Sequence, residues 1–178
     1  METQPTSHIT EAVRSLIGAQ SDQQEATEPV ERGAVRRFVQ AILDDDPAYR
    51  DEQYAQGTKF GGVVAPPLFP THMFRRRPDA PDPLDVLRDN PDWDGVGGTD
   101  ALLPPVPVPL GRILNGGVEA EFHQLAKVGD RVFAKSRYVD IYEKEGKAGK
   151  MVFTVVETSY TNQDGALLAV VRNTIIRR

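Results

Sequence analysis

The last third of the chain most constrains the fold, because four strand-length segments follow one another there. They are rich in β-branched and aromatic residues and are separated by glycine-bearing turns: Arg112 to Gln124, Arg131 to Tyr142, Met151 to Thr161 and Ala166 to Ile176. The pair Asp164-Gly165 between the last two segments is a strong hairpin signal. In the second segment, Val132, Ala134, Ser136 and Tyr138 fall on one face of the strand, and Phe133, Lys135, Arg137 and Val139 fall on the other. The pattern predicts an antiparallel meander with one buried face.

The first half of the chain has the spacing of a helix. Apolar residues recur at helical intervals after Pro29, at Ala34, Val35, Phe38, Val39 and Ile42. The helix leads into Asp44-Asp45-Asp46-Pro47, where the proline disfavours α conformation at the residue before it, so we expect the acids on a turn. A helix followed by a meander is an α+β order.

Composition limits the class of protein. A chain of 178 residues with 39% hydrophobic content predicts one domain over residues 1–178. We expect an N-terminal extension with a short helix over residues 1–28, and a proline-rich loop insertion at 78–110 that is either a binding loop or a covering flap. Trp93 within it either pins the loop or touches ligand.

Charge and residue content argue against several partners. A net charge of -5 disfavours nucleic acid, and no apolar run is long enough for a membrane span. Without cysteine there is no disulfide or thiolate site, and three scattered histidines have no metal-ligand spacing. We therefore expect a cytoplasmic protein without a metal or redox cofactor.

The acidic turn carries a family resemblance. Asp44-Asp45-Asp46-Pro47-Ala48-Tyr49 resembles the Asp-x-Asn-Pro-x-His element of the MaoC-like (R)-specific enoyl-CoA hydratases. Further matches follow in order along the chain: Tyr49-Arg50-Asp51-Glu52, Gly61-Gly62-Val63-Val64-Ala65-Pro66-Pro67, Asn115-Gly116-Gly117, Val128-Gly129-Asp130 and Asn162-Gln163-Asp164-Gly165. Together they are similar to MaoC-like dehydratase N-terminal domains, also called FAS1-like dehydratase domains. The resemblance implies an α+β hot-dog fold, an antiparallel sheet wrapped around a central helix.

The resemblance also assigns the acid–base residues, with one departure. Asp44 falls on the catalytic Asp position, whereas Tyr49 stands where active relatives have His and Asp46 where they have Asn. A phenol with an unperturbed pKa near 10 is a poor base at neutral pH, so only half of the acid–base pair is present. His72 and His123 could in principle substitute, or have structural or exposed roles.

Candidate substrate-binding residues lie in three places. Ala65, Pro66 and Pro67 either line an acyl pocket or only form a rigid entry to a short helix whose buried side is Leu68, Phe69, Met73 and Phe74. Asn115, Gly116 and Gly117 permit close approach to a ligand or partner, or form a β-bulge. Arg112 and the run Arg75-Arg76-Arg77 are candidates for the phosphates of coenzyme A, or a solvated face.

Three functional hypotheses follow from the resemblance. The leading one is a subunit of an (R)-specific 2-enoyl-CoA hydratase or 3-hydroxyacyl thioester dehydratase, paired as a heterodimer with a catalytic MaoC-like chain. The second is a homodimeric acyl-CoA-binding module without chemistry. The third is a complete hydratase that uses Asp44 in a different arrangement. In each, the coenzyme A thioester is the substrate or ligand, and an acyl carrier protein is left open as the carrier.

Overall fold

A computed structural model describes residues 7–74, 85–90, 103–146 and 149–178. Two short 3₁₀ helices, Pro47–Tyr49 and Phe69–His72, accompany these elements: α1 (Glu11–Arg14), β1 (Gln24–Glu25), α2 (Arg32–Ile42), α3 (Glu52–Gln56), α4 (Val86–Asp89), β2 (Ile113–Phe122), β3 (Val132–Gly146), β4 (Gly149–Asn162) and β5 (Leu167–Arg177). None of the described helices is long and apolar enough to cross a membrane.

The four predicted strands are present, but their order departs from a meander. The sheet runs β1-β3-β4-β5-β2 with antiparallel neighbours, so β2 lies beside β5 and not beside β3. The other side of β3 is occupied, up to Tyr138, by the N-terminal extension, in which Gln24 and Glu25 of β1 pair with Ala134 and Phe133. As a result β2 forms one edge of the sheet. The predicted alternation in β3 is confirmed, since Val132, Ala134, Ser136 and Tyr138 are all buried.

One face of the sheet is buried in two adjoining clusters. In the first, Val35 and Val39 of α2 pack with the segment around Ala65 and with the sheet residues Val132, Tyr160 and Val171. In the second, Val13 of α1 joins Leu103, Val106, Tyr138 and Ile175. On the opposite face, Glu157 accepts hydrogen bonds from Arg137 at 2.8 Å and from Arg172 at 2.7 Å, and these ion pairs tie β3, β4 and β5 together.

Several local predictions need correction. The short helix expected after Pro67 is present as a single 3₁₀ turn, Phe69–His72. Within it Phe69 is buried, whereas Leu68 is 43% exposed and does not belong to the buried side. Helix α2 begins at Arg32, three residues after Pro29. Arg75 to Arg77, Trp93 and most of 78–110 lie outside the described residues.

Candidate active site

The turn after α2 is held by backbone geometry and by two aspartates. Leu43 ends the helix in the left-handed conformation, with φ at 57°. The Asp46 carboxylate accepts the Ala48 N–H at 2.9 Å and caps the 3₁₀ helix, and Asp44 Oδ1 accepts the Asp46 N–H at 3.2 Å. The predicted turn is therefore confirmed. Asp46 has a structural role as a cap, while Asp44 is half-buried beside it.

Tyr49 lies at the end of this turn and points into the protein. The side chain belongs to the first core cluster, and the residue is 9% exposed. Burial raises the pKa of the Tyr49 phenol, and the negative charges of Asp44 and Asp46 raise it further. The phenol is therefore protonated at neutral pH. It can donate a hydrogen bond there but cannot act as a general base.

The Ala65-Pro66-Pro67 segment lies directly against the acidic turn. The Val64 N–H donates to the Ala48 carbonyl at 3.3 Å, and the Ala65 N–H donates to the Ala126 carbonyl at 2.8 Å. Ala65 and Pro66 are buried, and Pro67 is half-buried. The structure thus brings together Asp44, Tyr49 and the first group of predicted substrate-binding residues.

Asn115, Gly116 and Gly117 lie elsewhere, on the edge strand β2. The pairing with β5 shifts register between Asn115 and Gly117, so the β-bulge interpretation fits, and Asn115 Oδ1 accepts the Gly117 N–H at 2.8 Å. Asn115 pairs with Ile175 of the second cluster, roughly 20 Å along β5 from the part of the sheet beneath Tyr49. Within one chain, these residues are not part of the acidic-turn site.

The other polar candidates are also apart from the acidic turn. Arg112 is exposed just before β2, where its backbone pairs with that of Arg178 at 2.9 and 3.1 Å. His72 is exposed, with its ring 4.7 Å from the ring of Phe38. His123 is exposed just beyond the end of β2. Neither histidine occupies the position that Tyr49 fills.

Two concave regions were missed by the sequence patterns. The first, here called the α2 pocket, has a volume of about 590 Å³ and a largely apolar floor formed by Ala34, Phe38, Phe69 and Met73. The second, here called the lysine pocket, has a volume of about 460 Å³ and is lined by Lys59, Phe60, Phe122, His123, Gln124, Leu125 and Lys127. Helical periodicity singled out Phe38 as a core residue. No local signal joins Lys59 to Lys127, because the chain brings them together only by folding.

Comparisons with known proteins cover nearly the whole chain. Residues 15–171 match the family described as FAS1-like, dehydratase domain region. A UPF0336 protein of Saccharopolyspora erythraea is 25% identical over 165 residues, which are 93% of this chain and 90% of that protein.

Solved structures agree with this result. The ChsH1-ChsH2 complex from Mycobacterium tuberculosis has a chain with a TM-score of 0.69 and 20% identity, covering 94% of this chain and 89% of that one. The C-terminally truncated HadBC complex, a 3R-hydroxyacyl-ACP dehydratase from the same organism, gives a TM-score of 0.58 and 21% identity, with 90% and 96% coverage. At these identities, the likeness shows a shared fold.

Proposed function

Because the chain belongs to the family of FAS1-like dehydratase domains and has the hot-dog fold, we propose that it is one subunit of an (R)-specific 2-enoyl thioester hydratase or 3-hydroxyacyl thioester dehydratase. In this proposal it is the acyl-binding half, and a second MaoC-like chain supplies the complete acid–base pair. The family and fold agree with the resemblance in the acidic turn. The division of labour between two chains rests on the residues of the site.

The state of Tyr49 is the observation that carries the proposal. Adding water to a 2-enoyl thioester needs a base that activates the water, a proton donor for the α-carbon and donors for the developing negative oxygen. Asp44 offers one carboxylate, but the phenol beside it is buried and has a raised pKa. Loss of a general base typically costs about a hundredfold to ten-thousandfold in rate. The chain by itself therefore lacks half of the required chemistry.

The α2 pocket supports an acyl-binding role. Its volume of about 590 Å³ lies in the range of ligand sites, and its aromatic and aliphatic floor suits a hydrocarbon chain. Phe38 lies about 6 Å along α2 from Ile42, where the helix ends, at about 1.5 Å per residue, and Asp44 follows two residues later. An acyl group that lies between Phe38 and Asp44 would place its thioester end at the acidic turn.

The edge strand β2 supports a partner subunit. In the part of the chain that the structure describes, β2 pairs with β5 alone, and nine of its ten residues are exposed. Leu114, Val118 and Phe122 are 41%, 56% and 49% exposed. Natural proteins rarely leave a long edge strand with exposed apolar side chains unpaired. We propose that an edge strand of the second MaoC-like chain pairs with β2.

A hydration assay tests the proposal. The purified chain, the chain with a catalytic MaoC-like partner and the partner alone are each given 2-enoyl-CoA thioesters, and loss of the conjugated absorbance is followed. We expect no turnover by the chain alone and turnover by the pair above that of the partner. Asp44→Asn in this chain should leave the activity of the pair nearly unchanged.

Two other outcomes would contradict the proposal in different ways. Turnover by the chain alone, abolished by Asp44→Asn and spared by Tyr49→Phe, would identify a complete hydratase. Saturable thioester binding, with no association and no gain of activity in the presence of catalytic partners, would identify a binding module.

A further inference from the structure

The lysine pocket lies at the end of the sheet where the acidic turn is found. Phe122 pairs with Ala169, which is in the same core cluster as Tyr49. Lys127 forms a bridge with Val64, and Val64 in turn donates its N–H to Ala48. The pocket therefore lies two backbone spacings from the acidic turn, and each spacing is about 5 Å.

The pocket presents cationic groups without carboxylate partners. Lys59 and Lys127 are exposed, and no ion pair joins either lysine to an acid in the part of the chain that the structure describes; the exposed His123 lies beside them. The nearest acids in sequence already accept other hydrogen bonds. Glu121 is paired with Arg172 at 2.8 Å, and Asp130 accepts the backbone N–H of Lys127 at 2.8 Å. The uncompensated charge favours an anion.

The pocket also presents aromatic surface. Phe122 is 49% exposed, and Phe60 is half-buried with Lys59 Nζ 5.3 Å from its ring centroid. Aromatic faces beside lysines suit ligands that combine phosphate with a flat ring or an apolar arm, because the ring stacks while the ammonium groups pair with phosphate. A volume of about 460 Å³ is sufficient for such a group.

We propose that the lysine pocket binds the phosphate-bearing arm of the thioester substrate, with Lys59 and Lys127 as the phosphate ligands and Phe122 as the apolar contact. This inference rests on the proposed function, since it names the site of the carrier end of the same substrate. The phosphate belongs either to coenzyme A or to the phosphopantetheine of an acyl carrier protein. Arg112 and the arginines at 75–77 are not required in this assignment.

The test measures binding directly by calorimetry on the full chain. The probes are adenosine 3′,5′-bisphosphate, which is the nucleotide end of coenzyme A, 4′-phosphopantetheine and unphosphorylated adenosine. The variants are Lys59→Gln with Lys127→Gln, and the control Lys135→Gln, an exposed lysine on β3 beyond this pocket. All three lysines are exposed, so we expect the variants to fold.

We expect at least one phosphorylated probe to bind and its Kd to rise by about tenfold or more in the double variant, because each lysine contributes a hydrogen bond to a charged group. The control should bind like wild type. Preference for the bisphosphate would identify coenzyme A as the source, and preference for phosphopantetheine would identify a carrier protein. Binding of neither phosphorylated probe, or the same Kd in the double variant, would overturn the assignment.

The hydration assay separates failure of this site from failure of the proposed function. Turnover by the two-chain enzyme with an unchanged KM in the double variant would reject the pocket and leave the function standing. Lysine-dependent binding of the bisphosphate, with no turnover by any pair of chains, would retain the pocket and reject the hydratase proposal.

Discussion

Leu43 sets the geometry of the acidic turn at some cost to stability. It is the one non-glycine residue with positive φ among those that the structure describes, and its side chain is 86% exposed. The left-handed conformation costs an ordinary L-residue about 1–2 kcal/mol, which glycine avoids. We expect Leu43→Gly to raise the free energy of unfolding by up to about 1 kcal/mol in urea titrations, because part of the gain is offset by backbone entropy.

Leu43→Ala is the matched control. It removes the same exposed side chain but retains a Cβ, so it should not stabilise. Equal stabilisation by alanine would mean that the exposed leucine, and not the backbone, is the source of the cost.

Tyr160 provides a second prediction at the scale of one residue. Burial raises the pKa of its phenol to about 12, and its ring lies 5.7 Å from that of Phe74 in the first cluster. The unfolded phenol ionises near 10, so the folded state resists ionisation. The stability due to this group is complete below about pH 10 and is lost as pH rises toward about 12, by about 2–3 kcal/mol in all.

Tyr160→Phe should therefore unfold with nearly the wild-type free energy at neutral pH and be relatively more stable above about pH 10. Urea titrations across the alkaline range check this. If the free energy of unfolding fell equally in both proteins at high pH, Tyr160 would not be the cause of the alkaline loss of stability.

At the scale of elements, the bulge in β2 depends on Gly116. A Cβ there would lie 2.7 Å from Thr174 Cγ2 and 2.9 Å from both Ile176 Cγ1 and the Thr174 carbonyl oxygen. Because one of these neighbours is backbone, β2 must shift relative to β5. We expect Gly116→Ala to lower the free energy of unfolding by about 1–3 kcal/mol. At Gly111, a Cβ meets nothing within 4 Å, so Gly111→Ala serves as the control. Urea titrations of both variants and of the wild type check this prediction.

Elements with a strong local period were predictable from the sequence. Alternation located β3 and its buried face, and helical spacing located α2 through Val35 and Val39. The turn at Asp46-Pro47 followed from the proline. Leu68 was misplaced because it precedes the 3₁₀ turn and is not within it, and hydrophobicity alone does not locate where such a turn begins.

The candidate site was also predictable only in part from the sequence. Asp44, Tyr49 and Ala65 were identified from contiguous motifs, and the structure brings them together through the contact between Ala48 and Val64. The position of β2 beside β5, and the meeting of Lys59 with Lys127, depend on contacts between distant parts of the chain. A single sequence has no local signal for such contacts.

At the scale of the whole molecule, we expect a partner chain to pair with the exposed edge strand β2. Val118 lies in the middle of β2, is 56% exposed and pairs with Asn173 on the covered side of the strand. Lysine on an edge strand opposes pairing with another chain because its charge would have to be desolvated against the incoming chain. We expect Val118→Lys to weaken association with a catalytic MaoC-like chain by at least about tenfold, measured by sedimentation or light scattering.

Ile17→Lys places the same charge at a position that is 42% exposed in the N-terminal segment, beside β3 and across the sheet from β2. It should leave association intact, and both variants should unfold like wild type, since each position is solvent-exposed in the single chain.

If Val118→Lys still assembled normally, the partner would have to dock away from β2. If both variants weakened assembly equally, the cause would be net charge and not the edge, because Ile17 lies outside the strands of the sheet. Loss of association in Val118→Lys alone would tie assembly to the unpaired edge of β2, and would account for the exposed apolar side chains of Leu114, Val118 and Phe122 on that strand.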